Sequence, residues 1–587
     1  MKPRLEAAFI PWRFYLIVTI LFCVVFGLIT RMFDLTIVKR SFLQHEGDIR
    51  VERVVSSTAF RGMILDRNGY PLAVSTDVFS IWVNPKDYLN TSTNNRLLGQ
   101  QLSLQPNLIT AAIKQAALKH RQFTYIKRDV PPEVAKRIAK LKLPGLFLQE
   151  ESKRYYPEGE VASHVVGFTN IDDKGQEGLE LSYNPWLSGV IGKTLVIKDR
   201  HGRSISNLQT LQGSKPGKNL VLSIDKRIQY LAYRELMAGL KENVAPSGSV
   251  VVLDTQTGEI LAMVNQPSFN PNNRVGDKAD VFRNRALTDT FEPGSTIKAF
   301  TLASALDSGL YKPDMMIDTN PGWVRVERHT VQDEHNFGAI SVARVLQLSS
   351  NVGVTKIVLS LPQQQLWGLL HRVGFGETTG VGFPGEQSGS LVKRKNWHPF
   401  ALATLAFGYG ISVTPMQLAQ AYAIFANLGI KKPVSLLRVD TPPEGTQVMD
   451  PKIANEMLNL LEADTISKGA TGAFARVPGY RVAGKTGTAR MLGPHGYLKH
   501  HHNSTFVGIA PVSHPRIVVA VVIHDPQGKH YYASYVSAPV FEKIMEGSLR
   551  ILNIPPDDLG SLTGLPTPVA PGLKTHPLQQ AFAGAAQ

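Results

Sequence analysis

One cysteine, Cys23, occurs in 587 residues. No internal disulfide can form, so no covalent staple supports the fold. Cys23 sits inside an apolar run, where a small buried hydrophobe is the better reading than a nucleophile, and cysteine catalysis is set aside. Acidic residues are the scarcer sign, 47 against 63 Lys+Arg, for a formal net charge of +16. That surplus suits an acidic partner (nucleic acid, anionic lipid or an anionic wall polymer) or simply a basic solvated surface. The chain lacks compact Lys/Arg runs with interleaved aromatics, so nothing points to nucleic acid. Internal repeats are lacking as well. With 43% hydrophobic and 19% charged residues, the composition excludes a chain that is disordered or membrane-embedded throughout. At roughly 150 residues per domain, this length predicts two to four domains.

Long apolar runs are also scarce. The N-terminal one, Phe14 to Thr30 (F-Y-L-I-V-T-I-L-F-C-V-V-F-G-L-I-T), carries no charge. With its flanks it predicts a membrane-spanning helix over 14–34. Lys2, Arg4 and Arg13 precede it, so the positive-inside rule places residues 1–13 in the cytoplasm and the bulk of the chain outside. R-M-F-D-L, Arg31–Leu35, offers no small-x-small cleavage site, which favours an uncleaved anchor over a signal peptide.

Beyond the anchor, residues 35–226 read as a non-catalytic pedestal. Asp66–Gly69 (D-R-N-G) predicts a hairpin turn, and Leu108–Lys119 and Pro132–Leu141 predict helices. Residues 227–246 read as a linker and 247–552 as a second module. There Ser249–Val264 predicts two strands around a T-Q-T-G turn, and strands return at Arg481–Thr488, Ser504–Ala510 and Arg516–His524. Strands at both ends with helices between predict an α+β fold, an antiparallel sheet packed between helices. The Pro/Gly/Ala-rich stretch 553–587 reads as a flexible tail.

The second module holds Ser295-Thr-Ile-Lys298, Ser349-Ser-Asn351 and Lys485-Thr-Gly487 in that order. Ser-x-x-Lys recurs at Ser223 and Ser390, and Ser-x-Asn at Ser92, Ser182 and Ser268, whereas Lys-Thr-Gly occurs once. Order and spacing therefore carry the signal, and the triple set resembles that of β-lactamases and penicillin-binding proteins. A serine hydroxyl needs a base beside it, and residues three apart on a helix share a face, so Lys298 is expected to hydrogen-bond Ser295. Burial and a second cation, Lys485, would lower the pKa of Lys298. Ser349 and Asn351 are expected to relay a proton and hold the substrate amide. Thr486 and Thr488 are expected to offer hydroxyls to a terminal carboxylate, with Gly487 leaving room for a substrate backbone on an edge strand. The backbone N–H groups of Ser295 and Thr488 would form the oxyanion hole. Pro293-Gly294 before Ser295 is a helix-start signal, which neither Ser223 nor Ser390 has.

Two decoys need weighing. Gly479 to Thr486 fits G-x-x-x-x-G-K-T, but a phosphate loop requires a helix immediately afterwards, and G-T-A-R-M-L-G-P-H-G holds turn residues there. His500, His501 and His502 are adjacent, which reads as a solvated loop rather than a metal site. No cofactor and no metal are expected.

These motifs, together with R-G-M-I-L-D-R-N-G near the anchor, R-Y-Y-P-E-G-E-V, F-G-Y-G-I-S-V-T-P-M-Q-L-A (Phe407–Ala419) and S-A-P-V-F (Ser537–Phe541), closely resemble class B penicillin-binding proteins, and within them the division-specific FtsI type (penicillin-binding protein 3). The resemblance runs from the anchor to about Leu552. It implies a penicillin-binding transpeptidase fold, a D-Ala-D-Ala stem-peptide donor on lipid II-derived strands, acylation by β-lactams and septal wall synthesis at the bacterial inner membrane. It also implies an FtsW-type glycosyltransferase and other divisome membrane proteins as partners, since the chain shows no polymerase module. Two departures stand out: Ala299 follows Lys298 where many relatives have proline, and Ala533-Ser534 replaces a usual Gly-Gly. Within the class, carboxypeptidase or β-lactamase activity and an elongation-specific role stay open. Outside it stands a divisome scaffold or β-lactam-binding module whose chemistry is secondary.

Overall fold

The apolar N-terminal run folds as a helix. In this computed structural model, which describes residues 11–57, 59–88, 91–198, 204–467 and 469–562, Pro11–Phe33 is α-helical. Trp12–Val38 is the one span among the described residues long and apolar enough to cross a membrane. Its side chains are apolar all round and fully available, with Phe22 70% exposed, as a lipid-facing helix requires and a water-facing one does not tolerate. A helix over Arg40–Val51 follows. Strand Glu52–Ser57 then pairs antiparallel with Gly192–Lys198, which pairs with Ser204–Gln212. Among the described residues, those up to Phe60 and those within Ser188–Gly217 form one compact unit. The expected cytoplasmic Lys2 and Arg4 and the tail beyond 562 lie outside the described residues.

The second unit comprises Arg61–Leu187 and the chain from Lys218 onward. The stretch read as one pedestal, 35–226, is thus divided between the two units. The D-R-N-G hairpin is present: Ile64–Leu65 pairs with Pro71–Val83, Gly69 takes φ +85°, and Asp66 Oδ1 accepts from the Asn68 and Tyr70 amides. The two expected helices are present as Pro106–Leu118 and Pro132–Lys140. Elsewhere in this unit Arg61 and Arg154 each donate to the buried Glu180 at 2.6 Å. The three charges are out of water, so removing any one would strand the others.

The five-stranded sheet is built from strands that are apolar on both faces. Its strands are β1 (Ser247–Asp254), β2 (Ile260–Gln266), β3 (Ala483–Gly493), β4 (Gly496–Ala510) and β5 (Ile517–His524), antiparallel in the order β2-β1-β5-β4-β3. Val250, Val252, Val519, Val521 and Phe506 enter one core, and Val251, Leu253, Val518, Ala520 and Val507 enter the other. Each strand thus separates two packed layers. The first layer consists of α1 (Lys226–Glu242) and a C-terminal helix, Ser537–Ile551. The second contains α2 (Lys298–Asp307), α3 (Asn351–Ser360), α4 (Pro415–Ala426) and α5 (Pro451–Ile466).

Three expectations need correcting. The stretch read as a linker is α1: Ile228, Ala232, Leu236 and Leu240, four apart, are buried in the core, and Asp225 caps the helix by accepting from the Arg227 amide at 3.0 Å. Residues 553–562 of the expected tail pack rather than hang free, since the Tyr480 hydroxyl donates to Ile554 O and the Arg481 amide to Asp557. The three histidines lie in strand β4, not in a loop. β3 continues to Gly493 because Leu492 pairs across with Tyr497, and strand-forming apolar side chains outweigh the turn residues between them. The same continuation leaves no helix after Lys485-Thr486, and no group of metal-ligating side chains forms among the described residues.

Candidate active site

Ser295 sits in a 3₁₀ turn, Gly294–Ile297, that leads directly into α2. The turn is held from below. Gly294 takes φ +56° and its amide donates to Gly408 O, while a side chain at Gly408 would strike Gly294 O at 2.1 Å. Glu292 accepts from the Gly410 amide at 2.8 Å, and the buried Tyr422 hydroxyl donates to Thr296 O at 2.7 Å. The F-G-Y-G segment is therefore the bed of the Ser295 turn, its glycines required by close backbone approach. Ser295 is half-buried, and among the described residues its hydroxyl makes no hydrogen bond.

Lys298 is fully buried. Its amine donates to Asn351 Oδ1 at 2.7 Å, to Ser349 Oγ at 3.1 Å and to Ser349 O at 2.5 Å. All three donors of an ammonium are thus spent on the Ser349–Asn351 turn. The expected hydrogen bond to Ser295 is absent: the long side chain reaches instead to the turn before α3, where the Ser349 and Asn351 oxygens accept from it. Burial, and after it the Lys485 charge, lower the Lys298 pKa to about 7, against the pull of Asp333, Glu334 and Asp464. Ser349 itself is left-handed at φ +55°, a strained setting for a residue with a side chain. Asp333, which the sequence reading missed, locks this turn. It accepts from the Asn351 and Val352 amides at 2.5 and 3.0 Å, at the start of α3, and from Ser350 Oγ at 2.6 Å.

Strand β3 is the sheet edge beside the Ser295 turn. Lys485 is fully buried, with its amine 3.4 Å from both Asp464 carboxylate oxygens and 3.0 Å from Thr471 Oγ1. Thr486 Oγ1 donates to Thr471 Oγ1 at 2.7 Å. Thr488 Oγ1 accepts from the Ala533 amide at 3.1 Å, so the loop with the Ala-Ser departure is tied to the strand. Gly487 has a role other than the expected one. A Cβ there would lie 2.7 Å from Pro293 O and 2.9 Å from the Thr296 methyl, so the missing side chain admits the protein's own Ser295 turn. Gly487→Ala is expected to push β3 off that turn. Overpacking of this kind costs about 1–3 kcal/mol of stability, and a misplacement near 1 Å lowers the acylation rate about a hundredfold. Thermal melting and stopped-flow acylation by a fluorescent penicillin measure the two effects separately.

Ser295, Ser349, Asn351, Thr486 and Thr488 all line one cleft of about 540 Å³. The three motifs, far apart in sequence, meet there, with the buried Lys298 joined to the second motif beneath it. An aromatic wall that no sequence signal announced (Tyr409, Tyr531, Tyr532 and Tyr535) completes the cleft with His502 and Arg490. His502 stacks on Tyr531 at 4.3 Å, and His501 faces Asp525 at 2.8 Å.

Residues 248–546 match the family described as penicillin binding protein transpeptidase domain, and residues 56–222 the penicillin-binding protein dimerisation domain. The chain is 42% identical over 566 residues to the peptidoglycan D,D-transpeptidase FtsI of Escherichia coli, covering 95% of each. It is 40% identical over 557 residues to the probable peptidoglycan D,D-transpeptidase PbpC of Pseudomonas aeruginosa, covering 93% of this chain and 96% of that one. Among solved structures it resembles a peptidoglycan synthetase from Bifidobacterium adolescentis, with TM-score 0.68 and 28% identity over 86% of this chain and 97% of that one. It also resembles penicillin binding protein 3 from Mycobacterium tuberculosis complexed with aztreonam, with TM-score 0.66 and 26% identity over 86% and 98%. A serine turn, a buried lysine and a Lys-Thr-Gly edge strand around one cleft, under matches that span nearly the whole chain, place it in the penicillin-binding protein transpeptidase family.

Proposed function

We propose that this chain cross-links peptidoglycan as a serine D,D-transpeptidase, with Ser295 as nucleophile and Lys298 as its base. The observation that carries the reading is the buried Lys298 amine, hydrogen-bonded to Ser349 and Asn351 under the cleft that Ser295 lines. Near neutral pH a good share of this amine is unprotonated. A neutral amine has two N–H groups and one lone pair. Of its three present acceptors only the Ser349 hydroxyl can reverse and donate, so the lone pair takes the Ser349 proton while Ser349 Oγ takes the one that Ser295 gives up.

In the first half-reaction Ser295 Oγ bonds to the penultimate D-Ala carbonyl carbon of a D-Ala-D-Ala stem peptide. Its proton goes to Lys298. The C–N bond to the terminal D-Ala breaks, and that amine takes the proton, relayed through Ser349. In the second, the amine of another stem peptide attacks the ester, gives a proton back through Lys298 and releases Ser295. The backbone N–H groups of Ser295 and Thr488 hold the oxyanion. Thr486 and Thr488, with the Lys485 charge behind them, receive the terminal carboxylate. A β-lactam enters by the same acylation, with its ring C–N bond opening. No cofactor or metal enters these steps.

The identity to the Escherichia coli FtsI supports a septal role rather than one in elongation. On this reading the helix at Trp12–Val38 crosses the bacterial inner membrane once, with residues 1–13 cytoplasmic and the bulk of the chain periplasmic at the septum. An FtsW-type glycosyltransferase and other divisome membrane proteins act beside it on lipid II-derived strands.

The test is covalent. Detergent-purified full-length chain, labelled with fluorescent penicillin and digested with trypsin, is expected to carry the adduct on the peptide Ala286–Lys298, at Ser295. An adduct on another serine, or none under conditions where the chain is folded, overturns the assignment.

A further inference from the structure

Asp464 takes no part in the chemistry above, yet it is one of the most deeply buried charges in the molecule. It lies in the last turn of α5, where the helix macrodipole disfavours a carboxylate. Its side chain and that of Lys485 are both wholly out of water, 3.4 Å apart. Among the described residues it is the only anion within ion-pair distance of Lys485. Thr471 Oγ1 stands 3.3 Å from both Asp464 oxygens, 3.0 Å from Lys485 and 2.7 Å from Thr486 Oγ1. An ionised carboxylate can only accept. It therefore sets the direction of the chain Thr486 to Thr471 to Asp464, which ends at a hydroxyl on the cleft wall.

We propose that Asp464, with Thr471, is the positioning residue for Lys485: it holds that ammonium charged in a waterless site and thereby sets both carboxylate capture in the cleft and the basicity of Lys298. This rests on the assignment of Ser295 and Lys298 to the acylation step.

The charged and titratable groups around the pair are few. Burial raises the Asp464 pKa to about 6, against the pull of Lys485, then Thr471, then Lys298 on α2. On α4 stands the Tyr422 phenol. Across the cleft Asp333 and Glu334 act on Lys298. The next acid on α5, Glu462, is held by Arg481 with two bonds of 2.7 Å and cannot substitute. Burial lowers the Lys485 pKa, and Asp464 is the group that opposes the fall.

Without the carboxylate, Lys485 sheds its proton, as an unpaired buried ammonium does. Two consequences follow. A neutral amine no longer attracts a substrate carboxylate. Lys298 also loses the Lys485 charge, which lowers its pKa more than Asp464 raises it, so Lys298 becomes harder to deprotonate.

The experiment compares wild type, Asp464→Asn and Asp464→Glu in detergent, measuring acylation of Ser295 by a carboxylate-bearing penicillin from pH 5.5 to 9. In Asp464→Asn the acid limb is expected to move to higher pH by about one unit or more, which is about tenfold slower acylation at a pH on that limb, and saturation is expected to need more penicillin. Asp464→Glu, which keeps the charge, is expected to stay near the wild-type limb. A merely structural role would lower the active fraction without displacing the limb. Asp464→Asn with native melting and an unmoved limb overturns the proposal, as does an equal displacement in Asp464→Glu. Should the Asn variant not accumulate folded, Asp464→Thr, neutral and close to aspartate in volume so that no water is admitted, makes the same prediction. Loss of wild-type labelling at Ser295 would instead sink the assignment of the nucleophile, a separate result.

Discussion

Ser295→Ala is expected to end covalent capture of penicillin altogether while leaving the melting temperature where it was. The two halves of that result come from different parts of the structure. Capture needs an oxygen that forms an ester with the β-lactam carbonyl. Ser223 and Ser390, the other serines with a lysine three residues on, are unsuited. Ser223 Oγ is buried and donates towards Ile260 O and Ser435 O, and Ser390 is fixed by backbone pairing with Ser412. Neither lines the cleft. Stability is indifferent because the Ser295 hydroxyl has no hydrogen bond among the described residues, while the turn around it is held by Gly294, Gly408 and Tyr422 through their own bonds. Substitutions that remove no contact stay within about 0.5 kcal/mol. Gel fluorescence after penicillin labelling and a thermal melt on the same preparation read both. Residual labelling at a few per cent of wild type would mean that a second nucleophile serves the cleft.

What was legible beforehand follows from what each signal depends on. The sheet could be read because both of its faces are buried, so β1, β2 and β5 spell their apolar identity without long-range information. The three motifs could be read because their residue types are dictated by the reaction. Asp333 and Asp464 could not. Each is a lone aspartate whose meaning is a contact, with α3's first amides in one case and with Lys485, twenty-one residues away on another element, in the other. The linker reading failed for a simpler reason. Lys226–Glu242 carries Lys, Arg and Glu on its outer face, and the apolar residues spaced by four on the inner face matter only once the sheet is there to receive them. Gly487 was read as space for substrate when the space is already taken by Pro293 and Thr296, a distinction that sequence spacing does not contain.

Lys298→Met is expected to slow acylation by a factor of about 10²–10⁴, the range for losing a positioned base, and to change how stability depends on pH. Methionine fills a similar volume without charge, so the core around position 298 need not repack. The Lys298 pKa is lowered in the folded state to about 7 from 10.5, so between those values the unfolded chain binds the extra proton and wild-type stability rises with pH. Below about 7 both states carry the proton and the full penalty for burying it is present. Methionine has no such penalty. Although the variant leaves Ser349 O and Asn351 Oδ1 without their donor, which offsets part of the gain at every pH, the difference in melting temperature must move in its favour as pH falls from 10 towards 7. The same titration governs rate, and in the same direction: wild-type acylation rises through a midpoint near 7 as the amine becomes a base. A base that the fold holds neutral by burial is destabilising for the reason that makes it reactive. A Lys298→Met variant that kept wild-type acylation, or whose melting difference ran the other way with pH, would separate the two properties and remove Lys298 from the mechanism.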